Sequence, residues 1–186
     1  MARNKKIDDD DILDAAERVV VKGGAAGLSI DAVAREAGIS KSRVVYNYGS
    51  KSGLLEALIQ RRVTSEQRKI EEAVASCKDT PHPALFGRVA AAAAVPDHTE
   101  RAVMLAISAA MSNEEKFQKQ LRDWISEELV AIEQGTDRPR AALMTYLAML
   151  GFCHLDYSES HSWDAGERRR ALDDILKIFT SFREPA

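Results

Sequence analysis

Between Ile39 and Ser52 the chain carries Lys41, Arg43 and Lys51 and no acidic residue, interleaved with Ser40, Ser42, Tyr46 and Asn47. Guanidinium, ammonium, hydroxyl and amide groups at this density suit phosphate oxygens and base edges, and an arginine such as Arg43 matches the O6 and N7 of a guanine. Tyr46 offers a hydroxyl and a flat face to a sugar-phosphate backbone. Catalysis has no comparable seat. His82, His98, His154 and His161 lack a Ser or Cys partner at a catalytic spacing, and no glycine-rich phosphate loop is present. Cys153, His154, Asp156 and His161 are close in sequence, but neighbouring helical positions diverge and no i, i+4 ligand pair joins them. Neither a metal nor a cofactor is expected, and the chain does not read as an enzyme. Cys77 and Cys153 are too far apart in sequence, in a chain read as cytosolic, to suggest a structural disulfide.

Those polar groups must be carried by a short helix standing out from the fold. The spacing Ala34, Gly38, Val44 provides one: a small residue where two helices cross, a glycine at the tight turn, and an apolar residue that locks the second helix on the first. Ser29 is the expected N-cap of the first helix, with Ile30 to Ala37 as its body, and Ser40 caps a second from Lys41 to about Tyr48. Val33, Ala37 and Ile39 are expected to be buried beside them. Lys51 falls in the first turn of the following helix, where unpaired N–H groups already favour an anion.

The rest of the chain is helical in pattern. Ile12, Leu13, Ala16, Val19 and Val20 make one apolar face, with Asp8 to Asp11 at its amino end and Lys22, Gly23 and Gly24 at its close. A long helix runs from Ser50 to about Ser76, Cys77 to Pro83 reads as a loop, and further helices are expected at 84–95, 100–111, 114–133, 139–155 and 165–182. The expected fold is therefore all-α with nine helices, a three-helix helix-turn-helix part followed by a larger helical part. The composition agrees, being 45% apolar and 30% charged with 6% aromatics, and no apolar run is long enough for a membrane span. A net charge of −3 hides an asymmetry: residues 1–51 sum to +1 and residues 52–186 to −4. Any polyanion-binding surface is thus expected on the first part, in a chain read as cytoplasmic.

The run LSIDAVAREAGISKSRVVYNYGSKSGLL, Leu28 to Leu55, resembles the DNA-binding region of TetR-type transcriptional regulators. The resemblance covers about residues 9–60 and implies DNA-binding residues at Ser29, Ser40, Lys41, Ser42, Arg43, Tyr46, Asn47 and Lys51, with Ser40 to Asn47 in the major groove. Three positions depart from the family pattern: Val45 replaces the usual first tyrosine, Asn47 a common histidine and Tyr48 a packing phenylalanine. The resemblance further implies a DNA-binding domain at 1–52, an effector-binding and dimerisation domain at 53–186, and a homodimer on a palindromic double-stranded operator. Leu143, Leu147 and Leu150, with Leu172, Ile175, Leu176 and Phe179, form two stripes suited to a four-helix interface. Met104, Met111, Phe117, Trp124 and Phe152 are the side chains suited to a pocket for a small-molecule effector. The expected function is a repressor released by that effector. The alternative is a helical ligand-binding or scaffold protein that no longer uses its helix-turn-helix.

Overall fold

The computed structural model describes residues 8–111 and 114–184. Among the described residues nine helices and no strand occur: α1 Asp9–Gly27, α2 Ile30–Ala37, α3 Lys41–Tyr48, α4 Lys51–Ser76, α5 Pro83–Ala91, α6 His98–Met111, α7 Glu115–Gln134, α8 Pro139–Tyr157 and α9 Ala165–Ser181. None is long and apolar enough to cross a membrane. The chain forms two compact units. One runs to Thr64 and resumes at Asp97 to take in α6, and the other holds Ser65–Pro96 and the chain from Glu114 onward. This differs from a division at residue 52, because α4 contributes its first half to the first unit and α6 packs along α1.

In the first unit α1 is the central element, touching α2 on one side and α6 on another. Its apolar face is buried as the spacing predicts, with Ile12, Ala15 and Ala16 fully enclosed and Val20 nearly so. The amino end is closed by a reciprocal cap: Asp8 accepts the Asp11 N–H at 2.9 Å, and Asp11 accepts the Asp8 N–H at 3.1 Å. Near its carboxyl end Gly24 adopts φ +61°, so the glycines kink the last stretch rather than stopping it outright. Glu36 of α2 ties the two helices together, accepting Arg18 at 2.9 Å and Lys22 at 2.6 Å. The hydrogen bonds from Lys22 and Arg18 hold its carboxyl below the usual carboxylate range.

The second unit packs α8 against α9 and α7, with α5 laid on α8 and α9. Its core is Leu85, Val89, Ile132, Tyr146, Met149, Phe152, Leu172, Ile175 and Phe179, together with the small residues Ala141 and Ala142. Leu172, Ile175 and Phe179, expected at a subunit interface, face this core instead, because the α9 stripe is consumed by α8 of its own chain. His82 is buried at the start of α5, where Nε2 lies 2.9 Å from the Ile132 carbonyl and Nδ1 accepts the Leu85 N–H. Burial pushes the Cys153 thiol up to about 11, leaving little thiolate at neutral pH.

One buried ion pair organises this unit. The Arg168 guanidinium bonds Asp156 at 2.8 Å, donates to the carbonyls of Ala92, Ala93 and Ala94, and stacks 5.0 Å from the Phe152 ring centre. Those carbonyls belong to the turn after α5, which stops at Ala91, short of the Val95 expected from the alanine run. Removing one member of a buried pair strands the other charge, at a typical cost of about 3–5 kcal/mol. Arg168→Met is accordingly expected to lose about that much stability in urea denaturation, and adding Asp156→Leu to recover part of it. An unchanged midpoint for the single variant is the contrary result.

Candidate nucleic-acid interface

The helix-turn-helix is assembled by caps and one turn. Ser29 Oγ accepts the Ala32 N–H at 3.1 Å to open α2, and Ser40 Oγ accepts the Arg43 N–H at 3.2 Å to open α3. Between them Gly38 sits at φ +67°, and the Ile39 N–H returns to the Ala34 carbonyl at 3.0 Å. Ala34 is buried at the crossing, and Val44 is the buried side chain of α3. Val33 is buried as expected, whereas Ala37 and Ile39 are only half-buried.

The single inward anchor decides what α3 shows. Ser40, Lys41, Ser42, Arg43 and Tyr46 are all exposed, Tyr46 to 85%. Lys41 leans back on Asp31 of α2 at 2.9 Å, an exposed pair that water screens and that a stronger anion could displace. Arg43 makes no ion pair among the described residues. Lys51 is exposed too, its ammonium 3.5 Å from the Ala25 carbonyl near the close of α1. Ser29 is half-buried with its hydroxyl engaged in the cap.

Asn47 departs from the expected arrangement. It is half-buried and donates its side-chain amide to the Asp9 carboxylate, so it faces α1 and not open solvent. Next to it the Tyr48 hydroxyl donates to the Asp9 backbone carbonyl at 3.0 Å. The first residue of α1 therefore holds the carboxyl end of α3 by two bonds. Sequence reasoning missed this clasp, having assigned Asp8 to Asp11 only to the helix dipole. The signal available was the pairing of a polar amide with a tyrosine where the family packs an apolar ring.

Of the expected pocket residues, the four whose side chains are described do not line the cavities beside Glu17 and Thr99 in the first unit. Met104 is half-buried on α6, Phe117 and Phe152 are buried, and Trp124 is 39% exposed. Phe152 is filled against Trp163, ring centres 5.0 Å apart, as part of the second core. The Met111 side chain lies outside the described residues. The larger of these cavities, about 290 Å³, is lined by Asp14, Glu17, Arg18, Val21, Lys22 and Thr99. Of the interface stripe on α8, Leu147 is 46% exposed, and Leu143 and Leu150 are half-buried.

A helix-turn-helix whose second helix presents hydroxyls and cations outward, on an all-helical two-unit chain, defines a DNA-binding regulator. Residues 12–58 match the bacterial regulatory proteins of the tetR family, and residues 86–180 match the tetracyclin repressor-like C-terminal domain. The chain belongs to the TetR family of transcriptional regulators, which are not enzymes. Its fold is shared by a chain from Pseudomonas aeruginosa PAO1 assigned as a transcriptional regulator, at TM-score 0.73 and 15% identity over 94% of this chain and 93% of that one. SmeT in its triclosan complex matches at TM-score 0.67 and 21% identity over 95% and 97%. A chain from Saccharomonospora viridis assigned as a transcriptional regulator, in complex with choline, matches at 0.69 and 17% over 90% and 94%. No curated protein matches by sequence.

Burial, then the negative charges of Asp9 and Asp10, push the Tyr48 phenol above its ordinary value near 10. The unfolded chain thus ionises first as pH rises, so the stabilisation is whole below pH 10 and is lost as pH climbs through the folded value. Tyr48→Phe is expected to cost about 1 kcal/mol at neutral pH through the lost bond to Asp9, and to flatten the alkaline fall in stability. Denaturant midpoints at pH 7 and above pH 10 check this, and equal values for both proteins at both pH values contradict it.

Proposed function

We propose that the chain is a homodimeric, sequence-specific repressor that reads a palindromic operator and lets go of it when a small molecule binds. The observation that carries the proposal is the exposed ridge of α3, polar and basic, on a helix anchored by one buried valine and clamped at both ends. Ser40, Lys41, Ser42, Arg43 and Tyr46 are assigned to the operator directly, with Lys51 on its backbone. Ser29 acts mainly as a cap, and Asn47 positions the helix.

One eight-residue helix meets only a few base pairs, too little information to find a site in a genome, so two copies on half-sites about 34 Å apart or a multiple are required. Support for the dimer comes from α8, where Leu147, Gly151 and Leu155 lie at i, i+4 and i+8 and are all exposed, with Leu143 extending the stripe. The partner face is accordingly assigned to α8, with Leu150 and Leu176 at its edge. For effector release, support comes from the solved relatives: SmeT holds triclosan and the S. viridis chain holds choline. The 26-residue α4, shared by both units, is the element suited to carry the coupling. A ligand preferring the non-binding state by about 3 kcal/mol would weaken operator affinity roughly a hundredfold.

The test begins with selection of an operator from random duplex DNA, followed by fluorescence anisotropy at several salt concentrations. Wild type is expected to bind selectively with a steep negative salt slope. Arg43→Ala should lose about 1–3 kcal/mol, and Lys51→Ala should reduce the slope by about one. Sedimentation equilibrium should give a dimer for wild type and a monomer for Leu147→Arg/Leu155→Arg. Failure to select any sequence favours a helical protein that no longer uses its helix-turn-helix.

A further inference from the structure

Val45 was not among the residues expected to contact DNA, yet the structure leaves it partly exposed on the flank of the reading face. At about 100° per residue, Ser42 and Tyr46 stand roughly 160° from Val44 on either side, and Arg43 and Val45 flank them at about 100°. Val45 is 41% exposed beside Ser42, so an aliphatic surface borders an otherwise polar ridge. Asn47 is turned to Asp9 and Lys41 to Asp31, which leaves Ser42, Arg43, Val45 and Tyr46 as the exposed side chains of α3 not engaged with a neighbouring helix by these contacts.

A valine in that place is a weak choice for the helix itself, being β-branched and a poorer helix former than alanine, and 41% of its surface stays open to solvent. It has no donor or acceptor for a phosphate or an exocyclic base group. In the major groove the apolar group that a base presents is the C5 methyl of thymine. We infer that Val45 is a specificity-determining residue that packs on a thymine methyl in each half-site. The inference rests on the DNA-reading assignment made above, and deepens it by naming one base and one atom.

Deoxyuridine lacks only that methyl, so it isolates the contact. In the selected operator each thymine is replaced in turn by deoxyuridine, and affinity is measured by anisotropy for the full chain. Wild type should show one symmetry-related position where replacement weakens binding about fourfold, the worth of one buried methyl. Val45→Ser should bind thymine and uracil equally there, while Val45→Ile should keep the discrimination, both with unchanged circular dichroism. The inference is overturned if no position responds to uracil in wild type, or if Val45→Ser responds as wild type does. A wild type that selects no operator at all removes the DNA-reading assignment, a different outcome from selective binding that ignores the methyl.

Discussion

Everything the recognition helix does depends on the burial of Val44. A helix of eight residues is unstable alone, since nucleation is costly and few internal bonds follow it. Burying one valine contributes about 1.5–3 kcal/mol, too little to fix both the position and the rotation of the helix. The remaining constraint comes from its ends. Ser40 caps the amino end, and Asp9 takes the Asn47 amide and the Tyr48 hydroxyl at the other. A helix held by one central anchor and two polar ends keeps most of its surface outward, which an interior helix with several buried residues cannot do.

The second unit solves the opposite problem. Its helices have ample apolar surface, but the turn that follows α5 carries the carbonyls of Ala92, Ala93 and Ala94, which need donors. Arg168 supplies the donors, and Asp156 together with the Phe152 ring face balances the charge thus introduced. The arrangement fixes where α5 stops and ties it to α8 and α9. At the amino ends of α1 and α9 the capping is local instead, with Asp8 and Asp11, and Asp164 and Glu167, accepting backbone N–H groups within four residues.

What the sequence made legible follows the same line between local and distant. Ser29, Ser40, Gly38, Ala34 and Val44 were readable because caps, a left-handed turn and a crossing contact are set within a few residues of one another. Helix number and order were readable from the apolar period. Which neighbour covers an apolar stripe was not, because periodicity defines a face and says nothing of its partner. Leu172, Ile175 and Phe179 therefore looked like an interface and proved to be core, and α6 looked like part of the second unit although it packs on α1. The contact of Asn47 with Asp9 was out of reach for the same reason: the two are 38 residues apart, and only the fold brings them together.

Electrostatics then sets how such a face can work. The chain has a net charge of −3, with four aspartates at the start of α1 beside the recognition helix. Of the three cations between Ile39 and Ser52, Lys41 is turned to Asp31 and Lys51 to the Ala25 carbonyl, which leaves Arg43 as the cation on the ridge without an ion pair among the described residues. Attraction to phosphate, whatever its strength, carries no base information. Discrimination must then be supplied by close contacts from few residues, each of which needs a fixed helix to reach its base. Asp9 serves both sides of this balance. It gives the helix its rigid end, and in accepting the Asn47 amide its carboxylate is partly satisfied before a phosphate approaches.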